Sequence, residues 1–197
     1  MSAEVLVVGR PNAGKSLFVL NFAAFLGLRA VRLAASADPG ASAARWVPLE
    51  RARREWVSPL PYSTLEPVAL RVVLAVGGRL QPVQVVDCPA IDDGSSPSEA
   101  IRRAWAVTLE RLLTARVVLH VLDAANPPRA VDAELAAFVG PRAAYAVLAN
   151  KCDLPEAAGA VRRLRRQFAP RPVLAVSAAT NRGFAEVARF LADNLPG

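Results

Sequence analysis

The sequence predicts an α/β fold: a mostly parallel six-stranded sheet with one antiparallel strand and helices on both faces. Three observations point there. Short apolar runs of strand length alternate with stretches of helical spacing, the pattern of a parallel sheet whose crossovers are helices. One pair of apolar runs, Leu70 to Val76 and Leu80 to Val86, is joined by Gly77-Gly78, a hairpin signal that makes one strand antiparallel. The first apolar run leads through a glycine-bearing loop straight into the first helical stretch.

In order, the strands are read at Val5 to Val8, Val68 to Val76, Val83 to Val86, Val117 to Leu122, Tyr145 to Ala149 and Val173 to Val176. Each is apolar and bounded by turn residues, as a strand buried on both faces should be. Helical spacing covers Ser16 to Leu26, Ser98 to Leu113, Ala130 to Phe138, Glu156 to Phe168 and Phe184 to Leu195. Between the first helix and the second strand, Ala34 to Pro67 shows no clear periodicity and is rich in Ala, Ser, Pro and Arg. Loops that long are usually functional or disordered. The chain, residues 1–197, is read as one domain with a long insertion at about 34–63.

At 53% hydrophobic and 21% charged, the chain can bury a full core. A net charge of +7 permits an acidic partner such as RNA or a membrane surface, but speaks to association and not to fold. Lys15 and Lys151 are the only lysines among 24 basic residues. Where arginine serves every other cationic position, two surviving lysines mark places that need a compact ammonium. Cys88 and Cys152 show no metal-ligand spacing, which fits a reducing cytoplasm. No apolar run approaches the roughly 18 residues of a membrane span, so no transmembrane segment is expected.

Gly9-Arg-Pro-Asn-Ala-Gly14-Lys15-Ser16 sits between a strand and a helix, the context a phosphate-binding loop (P-loop) requires. Glycines let backbone N–H groups turn inward around phosphate oxygens, and the helix N-terminus adds partial positive charge. Lys15 can reach the β and γ phosphates, and the Ser16 hydroxyl can ligate Mg2+. Gly9, Asn12, Ala13, Gly14, Lys15, Ser16 and Leu17 form the phosphate half of the candidate site. A second signature, Asn150-Lys151-Cys152-Asp153, follows the strand Tyr145 to Ala149 at the carboxyl edge where doubly wound sheets bind ligands. The Asp153 carboxylate can accept from the ring N–H and the exocyclic amine of guanine, a donor pair adenine lacks. Ser177, Ala178 and Ala179 follow the last strand and would place small residues and backbone donors beside the base. The chemistry is that of GTP or GDP binding; an ATP-using P-loop kinase is disfavoured by Asn150 to Asp153.

These residues, in this order, resemble the TRAFAC-class GTPases, and more narrowly the Obg/HflX and Era-like groups of ribosome-associated GTPases, whose fold is the P-loop NTPase G domain. The narrowing rests on Pro61-Tyr62-Ser63-Thr64-Leu65-Glu66-Pro67, similar to the Obg-type switch I segment, on Asp87-Cys88-Pro89-Ala90 at the switch II position, and on Arg116 to Ala124. The resemblance implies that Thr64 binds magnesium and senses the γ-phosphate, and that Asp87 holds a magnesium-bound water. With Lys15, these are the candidate catalytic residues. Ser16, Thr64 and Asp87 form the candidate metal set. Asn12 matches the asparagine that helps bind K+ in potassium-dependent members. Ribosomal RNA or ribosomal particles, and an activating protein, are the partners the resemblance implies.

Two departures bear on catalysis. The family glycine after Asp-x-Pro is Ala90, with less backbone freedom. Ile91 stands where Ras-like proteins carry the water-positioning glutamine, an apolar replacement shared by the Obg-like group. The expected activity is therefore slow GTP hydrolysis in a molecular switch; the alternative is a GTP/GDP-binding interaction module that does not hydrolyse. Lys15 to Thr64 is more than twice the expected length, and its Trp46, Leu49, Arg51, Arg53, Arg54 and Trp56 are candidates for a partner surface or a cover on the core. Arg162, Arg163, Arg165 and Arg166 are expected on one solvent face of a helix. His120, inside a strand, is read as a packed polar residue.

Overall fold

The computed structural model describes residues 3–33, 45–58, 60, 62–94 and 98–196. The chain runs through β1 (Ala3–Val8), α1 (Lys15–Phe25), β2 (Ala30–Leu33), β3 (Arg45–Pro48), α2 (Leu49–Trp56), β4 (Val68–Val76), β5 (Arg79–Asp87) and α3 (Glu99–Thr114). It continues through β6 (Val117–Asp123), α4 (Ala130–Val139), β7 (Ala144–Asn150), α5 (Ala160–Gln167), β8 (Val173–Ala175) and α6 (Phe184–Asn194). The main sheet has six strands in the order β4-β5-β1-β6-β7-β8. All its pairings are parallel except β4 with β5, joined at Gly77-Gly78 as the hairpin signal predicts.

The run Val5, Leu6, Val7, Val8 is wholly buried because helices cover both sides of β1. Val5 and Val7 face the layer built from α1 and α6, with Phe18, Phe22, Phe184 and Leu191. Leu6 and Val8 face the opposite layer, with Leu112 of α3, Leu135 of α4 and Leu164 of α5. In the first layer Phe184 stands edge-on to Phe18 at 5.3 Å and to Phe22 at 5.6 Å between ring centres, a favourable arrangement of ring quadrupoles. β4 alternates buried and open positions, as an edge strand covered on one side should.

Two expectations require correction. The stretch Ala34 to Pro67 is not without regular structure: β2 pairs antiparallel with β3, and α2 follows at once. Its helix was illegible because only Leu49 and Ala52 of α2 are buried, leaving no apolar stripe; ion pairs Arg51–Glu55 and Arg53–Glu50 support it instead. Trp56 packs against the core, whereas Trp46 is 68% exposed. Residues 34–44, and Pro61 of the switch I resemblance, lie outside the described residues. The expected helix Glu156 to Phe168 is divided into a short 3-10 turn, Pro155–Ala157, and α5. Gly159 divides them at φ 72, a left-handed conformation open to glycine.

His120 is fully buried, with Nδ1 2.5 Å from the Tyr145 hydroxyl, and burial lowers its pKa. No helix among the described residues is long and apolar enough to cross a membrane.

The Phe184 contacts make a stability prediction. Phe184→Ala should cost about 3–5 kcal/mol, whereas Leu80→Ala, at a side chain 78% exposed, should change stability by about 0.5 kcal/mol or less. Urea titrations followed by tryptophan fluorescence should give two midpoints far apart; coincident midpoints would contradict the ring cluster as the core of that layer.

Candidate nucleotide-binding site

Strand β1 ends against the loop Gly9 to Ser16, and neither of its two glycines has a substitute. Gly9 runs at φ 143, where a Cβ would lie 2.3 Å from the Val121 carbonyl oxygen. Gly14 runs at φ 93 as the N-cap of α1, where a Cβ would lie 2.3 Å from the Asn150 amide nitrogen. Asn12 takes φ 58, the left-handed region that asparagine tolerates better than most residues. Lys15, 7% exposed, opens α1 and donates from Nζ to the Arg10 carbonyl at 3.0 Å. Burial lowers its pKa, opposed by the charge of Asp87.

Beside it, the Ser16 hydroxyl donates to Asp87 Oδ2 at 2.6 Å, while Asp87 Oδ1 is buried without a hydrogen-bond partner. Burial raises the Asp87 pKa, and Lys15 and Ser16 work against that rise. A hydroxyl and a carboxylate with an unused oxygen form an all-oxygen donor set that fits Mg2+. Thr64 lines a cavity with Lys15, Ser16, Tyr62 and Ala90, and an adjoining one with Asp87. The Ile91 N–H donates to the Gly9 carbonyl at 3.2 Å, and its side chain is buried in the α3–α5 layer.

A second cleft opens on the other side of Gly14, lined by Leu17, Asn150, Lys151, Asp153, Ser177, Ala178 and Ala179. Asn150, 1% exposed, binds both of its walls: Nδ2 donates to the Ala13 carbonyl at 2.8 Å and Oδ1 accepts from the Ala178 N–H at 2.8 Å. Lys151 takes φ 62 and its Nζ reaches Asp123 Oδ2 at 2.7 Å. Asp153 is exposed, and a hydrogen bond from Ser177 holds its carboxyl below the usual range. The structure thus gathers most of the residues singled out in the sequence around three neighbouring cavities at the carboxyl edge of the sheet.

Two residues of the site escaped the sequence reading. Asp123 ends β6, anchors Lys151 and accepts from the Ala125 N–H at 3.0 Å. Its position at a strand end, matching Asp87 on β5, was the available signal. Asn21 donates to the Ala178 carbonyl and accepts from Arg53 Nε, both at 2.6 Å, tying α2 to the loop after β8. A lone amide in the apolar run Leu17 to Phe25 was its signature.

No family profile matches the chain. GTPase Obg from Anaeromyxobacter sp. (strain K) is 30% identical over 196 residues, covering 92% of this chain and 46% of that protein. The tRNA modification GTPase MnmE from Symbiobacterium thermophilum is 38% identical over 190 residues, covering 94% of this chain and 34% of that protein. The chain therefore spans about half, or less, of these curated relatives. Among solved structures, Aquifex aeolicus Era bound to GDP and aluminium fluoride superposes with a TM-score of 0.73 at 20% identity, covering 100% of this chain and 58% of that one. The G domain of the T. maritima FeoB iron transporter superposes at 0.61 and 17% identity, covering 98% and 99%. With the sheet order and the loop geometry above, the chain has the fold of the Era and FeoB G domains and is similar in sequence to the GTPases Obg and MnmE.

Proposed function

We propose that the chain binds GTP and GDP and acts as a molecular switch with slow intrinsic GTP hydrolysis. The observation that carries this reading is the cleft beside Gly14, where Asp153, Lys151 and Asn150 share walls with Leu17 and Ala178. The guanine donors meet Asp153, which Ser177 helps keep ionised. The phosphates follow the Gly9 to Ser16 backbone to Lys15, whose desolvated ammonium strengthens any contact with an anion. Ser16, Asp87 and Thr64 would hold Mg2+, which would supply charge neutralisation on the β and γ phosphates. Thr64 senses the γ-phosphate, so switch I is ordered in one nucleotide state and released in the other.

Slow hydrolysis follows from Ile91. Its side chain is 8% exposed and apolar, so it offers no group to orient an attacking water. An activating protein, or K+ held near Asn12, would supply what is missing. Ile91, together with Ala90, supports the second reading, a guanine-nucleotide-binding module that does not hydrolyse. A cytoplasmic setting and a partner in ribosome assembly are proposed from the Obg and Era relatives. Arg162, Arg163, Arg165 and Arg166 are all exposed on α5, a face suited to RNA phosphates.

Three measurements test this. By calorimetry the wild type should prefer GTP to ATP, and Asp153→Asn should weaken GTP while improving xanthosine triphosphate; equal affinity for ATP and GTP removes the guanine reading. Lys15→Ala should lose about 1.5–3 kcal/mol of GDP affinity, roughly tenfold to a hundredfold in Kd. Unchanged affinity would mean that the loop does not cradle phosphates. Single-turnover hydrolysis without a partner should proceed at roughly 10⁻³ per second or slower and be faster in K+ than in Na+. Equal rates in the two salts would remove the K+ role, and no turnover in either would favour the non-hydrolysing module.

A further inference from the structure

A set of buried polar groups lies outside these cavities and has no part in the reading above. Asp132, the third residue of α4, has a side chain 1% exposed. Its Oδ2 accepts from the Arg129 N–H at 2.8 Å and pairs with Arg10 Nε at 3.0 Å. Its Oδ1 lies 3.3 Å from His120 Nε2. Burial works to raise the Asp132 carboxyl, yet His120, the Arg129 amide and Arg10 together hold it below the ordinary range. Capping α4 would not require this, since capping carboxylates serve equally well at the surface. Nor does stability explain it, because a buried ion pair recovers its desolvation cost poorly. What such a pair supplies is position.

The residue it positions is Arg10, within the P-loop. The Arg10 carbonyl accepts from Lys15 Nζ at 3.0 Å and from the Ala13 N–H at 3.4 Å. Its side chain leaves the loop in another direction, held by Asp132 and donating from Nη2 to the Pro127 carbonyl at 3.3 Å. Its predecessor, Gly9, is pressed against the Val121 carbonyl and cannot shift toward β6. Main chain and side chain of Arg10 therefore join two things: the lysine that faces the phosphates, and a fixed carboxylate on α4.

We propose that Asp132 is a positioning residue for phosphate binding, acting through Arg10 to hold the first turn of the P-loop where the Arg10 carbonyl aims Lys15 at the β and γ phosphates. This rests on the reading of Gly9 to Ser16 as a nucleotide loop. Asp132 touches no nucleotide, so its effect must pass through Arg10.

The test is calorimetric titration of GDP into the wild type, Asp132→Asn, Arg10→Met and the double variant, at a temperature where circular dichroism shows each folded. Each single substitution should weaken GDP by about tenfold, the size usual for residues that hold a ligand-binding group from behind. The double variant should be no weaker than the weaker single, since both break one contact. Affinities within about twofold of the wild type, or losses that add in the double variant, would overturn the proposal. If Asp132→Asn does not fold, Arg10→Met carries the test alone, its side chain being 14% exposed. Placed in a Lys15→Ala background it should then cost nothing further, and an undiminished cost there would equally overturn the proposal. A wild type that binds no GDP fails earlier, at the nucleotide reading itself, before any substitution is compared.

Discussion

The side chain of Asn150 is the contact on which the candidate site depends. One amide group, 1% exposed, donates to the Ala13 carbonyl and accepts from the Ala178 N–H, each at 2.8 Å. It joins the loop after β1 to the loop after β8, elements from opposite ends of the chain. No charged or apolar side chain of that size offers a donor and an acceptor together. The close fit also makes Gly14 a glycine, because the Asn150 amide fills the space a Cβ would take. Two residues distant in sequence are therefore one structural requirement. Loss of either partner leaves buried polar groups unsatisfied, which costs more than the bond itself contributes.

Strand register explains why the remaining polar groups converge. Asp87, Asp123 and Asn150 each close a strand, on β5, β6 and β7. Asp123 pairs with Asn150 in the ladder, and Asp87 pairs with Val7 of β1, one residue before the strand's end. The apolar strands thus finish at nearly the same level, each delivering one polar side chain to the same edge. Crevices at the carboxyl ends of parallel strands arise from this geometry, independently of the particular ligand.

Legibility in the sequence followed the kind of constraint. The inner strands were visible because burial on both faces makes them continuous apolar runs, the edge strand β4 because the Gly77-Gly78 hairpin signal follows it, and the loop at Gly9 because its neighbours differ so sharply in pattern. Asn150, Lys151 and Asp153 were legible as a local group at a strand end. Helix α2 was not, because its Arg51–Glu55 and Arg53–Glu50 pairs support it at the surface without an apolar stripe. Asp123 and Asn21 act on residues 28 and 157 positions away, and no local pattern marks such a partnership. Asp132 stood inside a helix read correctly from its spacing, yet its burial beneath Arg10 is a tertiary fact.

The electrostatics of the site point the same way as its geometry. Lys15 and Asp87 are both nearly buried, and burial pushes each toward its neutral form: the ammonium pKa falls and the carboxyl pKa rises. Each also opposes the other's shift. Two such groups add little to stability on their own. An anion beside Lys15 and a cation beside Asp87 would each replace the lost solvation, and the free Asp87 Oδ1 leaves room for the second. In a site of this kind an anion favours the charged form of Lys15 and a cation favours the carboxylate of Asp87, so each ligand favours the binding of the other. That is a physical reason for nucleotide and Mg2+ to bind together in the reading proposed above, with Thr64 placed to respond to both.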